Sequence, residues 1–141
     1  MHYKRLIIMM ALACCFLPGM SQKQFNAKAF DSELLAYVTR QASLTREEYK
    51  RFAPIYREML TKKRDLHYEL RQLKQQQTTN ERVAKSLINR CDNLEVRMKQ
   101  VEKSYHQQML KAVSALKLKA IIDAERQYHR SAFRKAAKCV R

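Results

Sequence analysis

The fold is decided by residues 43–73, which read SLTREEYKRFAPIYREMLTKKRDLHYELRQL. Thr45 is a residue type that favours the N-cap position, and Glu48 follows three residues later, which is the spacing of a capping box. Leu44 and Tyr49 flank the cap at the positions of a hydrophobic staple. The stretch therefore predicts a long helix that begins directly after the cap.

Apolar side chains recur along this helix at alternating steps of three and four residues, which places them on one face. Lys63 is the only polar member of that face. A helix with one long apolar stripe is not stable alone in water, so another part of the chain must cover it. The residues of the face are Tyr49, Phe52, Tyr56, Met59, Lys63, Leu66, Leu70 and Leu73.

The covering partner is predicted to be the next segment of the chain. Residues 75–80, QQQTTN, form a polar turn, and Thr78 with Glu81 has a second capping-box spacing. A second apolar helix face follows, so the two long helices form an antiparallel hairpin. Pro54 removes one hydrogen bond inside the first helix and predicts a kink there rather than an end. The second face consists of Leu87, Cys91, Leu94, Met98, Val101, Tyr105, Met109 and Val113.

Shorter helices are predicted on both sides of the hairpin, and the fold class is all-α. Residues 22–42 have apolar side chains at helical spacing, with Asn26 or Asp31 as the N-cap. A C-terminal helix is predicted with Ser114 as its N-cap, and its basic tail, residues 134–141, is expected to fray. The single Gly and two Pro of the 141 residues argue against a sheet-rich fold, which needs frequent turns.

Residues 1–21 have the layout of a secretory signal peptide. A short basic lead precedes an apolar run of 12 residues, and a Pro-Gly break leads to a cleavage site after Ser21. Twelve residues are too few to span a bilayer, which needs roughly 20. Residues 22–141 would then form a single exported domain. Two alternatives stay open, an uncleaved membrane anchor and a lipoprotein modified at Cys14.

The exported part has a large excess of positive charge. It has 27 Lys and Arg against 13 Asp and Glu, because Lys4 and Arg5 lie in the leader. Nucleic acid is the usual partner of such a balance, but export argues against it. The remaining interpretations are an anionic membrane surface, attracted by the eight basic and two acidic residues of 117–141, and steering of acidic or unfolded proteins.

Nothing in the sequence points to catalysis. It has no Gly-rich phosphate loop, no nucleophile motif and no paired carboxylates, so the protein is not expected to be an enzyme. The candidate zinc ligands His67, His106 and His129 do not form the i, i+4 pair that places two ligands on one helical face. No cofactor is expected, and zinc is the open alternative. Export makes a disulfide between Cys91 and Cys139 chemically feasible.

These features together resemble the Spy/CpxP family of small, exported, all-helical bacterial proteins, which carry Leu-Thr-x-x-Gln motifs at helix starts. Leu44, Thr45 and Glu48 give the first motif here, with Glu in place of Gln, and residues 113–117, VSALK, give a degenerate second one. The resemblance implies a periplasmic location, an antiparallel cradle-shaped homodimer and ATP-independent holding of unfolded proteins on a concave face. Some members of that family regulate the envelope stress response and some bind zinc, so the resemblance also implies these two roles as alternatives.

The predicted function is that of a periplasmic, ATP-independent, chaperone-like protein of the envelope stress response, which binds unfolded or partner proteins. The alternatives are a stress or zinc sensor that acts by binding a protein, and a cationic surface protein that binds anionic lipid. Apolar and basic side chains of the two long helices are the predicted contacts to a bound protein. They are Phe52, Tyr56, Arg57, Met59, Lys63, Arg64, Arg90 and Arg97.

Overall fold

The fold consists of four helices, as given by a computed structural model that describes residues 26–139 of the chain. These residues contain no strand, so the predicted all-α class is confirmed. No helix among them is long and apolar enough to cross a membrane. The predicted leader, its cleavage after Ser21 and the lipidation at Cys14 lie outside the described residues. The helices are α1 (Ala27–Gln41), α2 (Arg46–Lys74), α3 (Glu81–Met109) and α4 (Ala115–Cys139).

The predicted hairpin is formed by α2 and α3, which make the most extensive helix–helix contacts among the described residues. Each has 29 residues, which corresponds to a length of roughly 44 Å. α2 continues through Pro54 without interruption, and a bend at that residue stays a prediction. Ion pairs of Lys63 with Glu102 and of Lys74 with Glu95 confirm that the two helices run antiparallel.

Asn80 is the N-cap of α3, and the prediction that Thr78 caps this helix is wrong. The Oδ1 atom of Asn80 accepts hydrogen bonds from the backbone N–H groups of Arg82 at 3.0 Å and Val83 at 3.2 Å. Asn80 directly precedes the first helical residue, so its short side chain reaches these two unpaired donors. The hydroxyl of Thr78 instead accepts from the N–H of Asn80 at 3.0 Å and shapes the turn.

The hairpin has two parts, because α1 and α4 pack against only one half of it. At the open end all four helices share one core, built around Leu34, Phe52, Tyr56, Met109 and Ile121. At the turn end the two long helices pack on each other alone. We call this part the hairpin arm, and its core consists of Leu66, Leu70, Leu73, Leu94 and Met98.

The junction of α1 with α2 takes only four residues because two capping motifs overlap there. α1 ends in a Schellman motif, in which Ser43 and Leu44 donate backbone hydrogen bonds to Arg40 and Thr39, both at 3.1 Å. Ser43 has the left-handed φ of 49° that this motif requires. The predicted capping box of α2 follows at once and is confirmed by reciprocal bonds of 2.8 and 3.2 Å.

The two motif stretches of the sequence meet in space. Ser114 accepts a hydrogen bond from the backbone N–H of Lys117 at 3.3 Å and so caps α4, as predicted. The Nζ of Lys117 lies 2.5 Å from Glu48 and 3.3 Å from the carbonyl oxygen of Ser43. The hydrogen bond from Lys117 lowers the pKa of Glu48, with a further contribution from the N–H of Thr45. The motif residues thus fix the start of α2 beside the start of α4.

The N-cap of α1 is Asn26, one of the two predicted candidates. Asn26 accepts a hydrogen bond from the N–H of Ala29 at 3.1 Å, whereas Asp31 forms an ion pair with Arg64. α4 continues to Cys139, in keeping with an end rich in Arg, Lys and Ala, which are strong helix formers. Fraying of residues 134–141 stays a prediction.

Candidate functional site

Lys63, the single polar residue of the α2 face, lies at the centre of a charged cluster. Its Nζ is 2.7 Å from Glu102 of α3 and 3.2 Å from Glu125 of α4, and its side chain is only 16% exposed. The hydroxyl of Tyr56 donates a hydrogen bond of 3.0 Å to the second oxygen of Glu125. This cluster, Lys63 with Glu102, Glu125 and Tyr56, ties three helices together. The ammonium of Lys63 is thus already paired within the protein, and its contact with a bound protein stays a prediction.

The cluster is charged at neutral pH. Burial alone would raise the pKa of Glu125, but His129, Lys63 and Tyr56 outweigh it and lower that pKa to about 2. The Nε2 of His129 lies 3.8 Å from Glu125, which is too long for a hydrogen bond, so the Lys63 ammonium is the main stabilising partner. Burial likewise lowers the pKa of Lys63, and the two carboxylates more than reverse this and raise it.

Two cavities lie on either side of the cluster. The smaller, of about 500 Å³, is formed by residues of α3 and α4 with Lys63. The larger, of about 700 Å³, runs along α2 between the start of α1 and the middle of α4, and we call it the α2 groove. Its lining residues are Ala27, Phe30, Asp31, Leu60, Lys63, Arg64, His67, Leu70, Arg71, Lys74, Gln75, Glu125 and His129.

The α2 groove has an apolar floor and a basic rim. Leu60 and Leu70 form the floor and are 8% and 7% exposed. On the rim, the guanidinium of Arg71 lies 5.8 Å from the ring centre of Tyr68, and Lys74 is 2.9 Å from Glu95. From Leu60 to the end of α2 the groove extends for roughly 22 Å. An extended peptide of about six residues has a similar length.

Three of the predicted contact residues are buried in the core instead. Phe52 and Tyr56 are 0% exposed and Met59 is 1% exposed. They lie on the half of the α2 face that α1 and α4 cover together with α3, so they present no surface to another protein. From the sequence, only α3 was predicted to cover that face, and the packing of α1 and α4 on it was not predicted.

The predicted arginines are distributed over different surfaces. Arg64 lines the α2 groove and forms an ion pair with Asp31. Arg57 is exposed and donates to the hydroxyl of Tyr49 at 3.3 Å. Arg90 and Arg97 are exposed and line a separate shallow pocket of about 210 Å³ on the hairpin arm. The structure therefore brings only Lys63 and Arg64 of the predicted set to the groove.

Sequence reasoning missed the residues that extend the groove along the hairpin arm. His67, Arg71 and Lys74 follow one another at steps of four and three residues, so they share one helix face. That spacing was available in the sequence. The position of the groove was not, because it depends on where α1 begins and where α4 passes over α2.

The three candidate zinc ligands lie closer together than their sequence positions suggest. His67 lines the α2 groove, His106 lines the smaller cavity and His129 lines both. Burial, followed by the charge of Lys63, lowers the pKa of His67. Among the described residues, however, no three His, Cys, Asp or Glu side chains are grouped so that they could hold a metal ion. The ammonium of Lys63 takes the carboxylate oxygens that a cation would need.

Comparison of the chain with protein families, curated proteins and solved structures finds no match. Cys91 is a half-buried free thiol beside the core of the hairpin arm. The α2 groove is therefore the candidate site, since it combines an apolar floor with basic side chains along the second half of α2.

Proposed function

We propose that this chain is an exported, ATP-independent, chaperone-like protein that binds unfolded or partner proteins in the α2 groove. The observation that carries the proposal is the groove itself, about 700 Å³ in volume, with leucines on its floor and Arg71 and Lys74 on its rim. Unfolded proteins expose apolar side chains in extended segments, and such a segment matches the groove in length and polarity.

The charge of the chain supports the same proposal. An excess of basic over acidic residues, 29 against 13 in the full chain, attracts acidic segments and raises the rate at which they are encountered. An apolar floor then holds the segment after the encounter. Binding of this kind needs no nucleotide, in keeping with a sequence that has no phosphate-binding loop.

The proposal keeps the function implied by the Spy/CpxP resemblance and moves the contact surface. The buried face around Phe52 is replaced by the groove along the second half of the same helix, from Leu60 to Gln75. The homodimer implied by the resemblance stays a prediction. A dimer that left the groove open would be compatible with this function.

Replacing Arg71 with Glu is expected to weaken the suppression of client aggregation about fivefold. The substitution puts a negative charge on the rim of the groove, and one exposed charge contributes on the order of 1 kcal/mol. The side chain is exposed, so folding should be unaffected. Light scattering of a chemically denatured acidic protein, diluted into buffer with increasing amounts of each variant, measures the effect.

Lys111→Glu is the matched control, because Lys111 is exposed in the connection of α3 with α4, at the other end of the bundle. It makes the same change in net charge away from the groove. Equal weakening by both substitutions would show that net charge, and not the groove, governs the activity. No suppression by the unmodified protein at equimolar concentration would rule out the chaperone proposal.

A further inference from the structure

The last third of α4 is a strongly basic helix. Residues 126–138 contain five Lys or Arg and no Asp or Glu. Arg126, Arg130, Arg134 and Lys138 follow one another at steps of four residues, so they form one stripe along the helix. Among the described residues, Asp123 is the only carboxylate within 4 Å of this stripe, at 3.9 Å from Arg126. The stripe is therefore largely unneutralised.

An exposed aromatic side chain lies beside the stripe. Phe133 is 76% exposed, and helical geometry places it next to Arg130, three residues earlier. It belongs to neither core cluster and lines neither of the two cavities beside Lys63. A large exposed apolar side chain beside a row of cations is typical of helices that lie in a membrane interface.

The basic segment also projects from the bundle. Contacts of Ser43 with Lys117 and of Glu33 with Tyr128 show that α1 and α4 are antiparallel. At that register the first residue of α1 lies level with about residue 133 of α4. Residues 133–138 are all exposed. This end of α4 is thus a convex, accessible surface rather than a groove.

We propose that residues 126–138 dock on the surface of an anionic lipid bilayer. The arginine and lysine stripe contacts the lipid phosphates, and the ring of Phe133 inserts among the headgroups. Charge complementarity supplies the attraction, and a projecting helix suits a broad surface better than it suits a peptide, which needs a groove. Nucleic acid would be attracted by the same charges, and its binding in place of lipid is one of the outcomes of the test.

The test compares binding of the full chain to vesicles of phosphatidylglycerol with phosphatidylcholine and to vesicles of phosphatidylcholine alone, by sedimentation. The double variant Arg134→Gln with Lys138→Gln is expected to bind the anionic vesicles about 25-fold more weakly, at about fivefold for each basic residue near a membrane surface. Phe133→Ser is expected to lower binding about tenfold through loss of apolar burial. These three residues line neither cavity, so the aggregation assay should be unchanged.

Matched controls separate this surface from general charge and from the rest of the chain. Arg82→Gln with Lys85→Gln removes the same charge from exposed positions near the start of α3, and Leu116→Ser removes a side chain that is 85% exposed at the start of α4. All variants share residues 1–25, so any membrane affinity of that segment cancels. Circular dichroism verifies that each variant keeps its helix content.

The proposal is supported if the tail variants lose binding and the control variants do not. Equal losses in tail and control variants would overturn it, because binding would then depend on net charge alone. Equal binding of the unmodified protein to neutral and anionic vesicles would also overturn it. So would binding to duplex DNA in the absence of binding to anionic vesicles.

Discussion

Replacement of Lys63 with Met is expected to lower the free energy of unfolding by about 3–5 kcal/mol, the usual cost of removing one partner from a buried ion pair. Met keeps the length of the side chain but leaves Glu102 and Glu125 without their shared cation. The side chain of Glu125 is 14% exposed and that of Lys63 is 16% exposed, so water cannot replace the lost contact well. Urea denaturation at neutral pH, followed by circular dichroism, measures the change.

Two further variants make the Lys63 result specific. Lys62→Met removes an exposed neighbour, whose ion pair with Glu58 is open to solvent, and should change stability by less than about 1 kcal/mol. Adding Glu125→Gln to Lys63→Met should recover part of the loss, because Glu125 is the carboxylate that loses its ammonium partner, whereas Glu102 keeps Lys99 at 2.8 Å. If Lys63→Met cost no more than Lys62→Met, the cluster would not be holding the three helices together.

Acid is expected to destabilise the protein by about 3 kcal/mol through Glu125 alone. Its pKa is lowered from an ordinary value of 4.5 to about 2 in the folded chain. A carboxyl group with a lower pKa in the folded chain than in the unfolded chain stabilises the fold. This stabilisation is complete at pH values above the pKa of the unfolded chain, and it is lost as the pH falls through the pKa of the folded chain. The loss should therefore develop between about pH 4.5 and pH 2.

Urea denaturation at several values of pH across this window measures the acid effect. Glu125→Gln is the control, since an amide does not titrate in this range. Glu48, Glu102 and Asp123 also have lowered pKa values, so they will make the free energy of unfolding depend on pH in both proteins. An identical pH dependence in the unmodified protein and in Glu125→Gln would contradict the proposed role of the carboxylate.

Local signals in the sequence were sufficient to predict the helices and their contact faces. The steps of three and four residues identified the α2 and α3 faces because burial along a helix repeats with its turn. Thr45 with Glu48, Asn26 and Ser114 were found because a cap bonds only to residues two or three positions away. The prediction of Thr78 as a cap failed because the turn 75–80 has several polar residues that can cap a helix, and only the turn geometry selects Asn80.

Contacts between distant parts of the chain were not predictable in the same way. Lys63 has Glu102 and Glu125 as partners, 39 and 62 residues further along the chain. Spacing within one helix says nothing about such pairs, so the partners of this lysine could not be predicted. The same limit explains why Phe52 and Met59 were assigned to a binding surface. Their burial depends on α1 and α4, whose packing on one half of the hairpin leaves the groove over the other half.

Unfolded protein is proposed to bind along α2 between Leu60 and Gln75, and site-specific photocrosslinking locates the bound segment. A photoreactive phenylalanine analogue replaces Gln75, at the end of the groove, or Lys111, at the opposite end of the bundle. Each variant is irradiated with a denatured acidic client. We expect crosslinks to the client from position 75 and few or none from position 111. Equal yields from the two positions, or crosslinks from position 111 alone, would contradict the assignment of the α2 groove as the binding site.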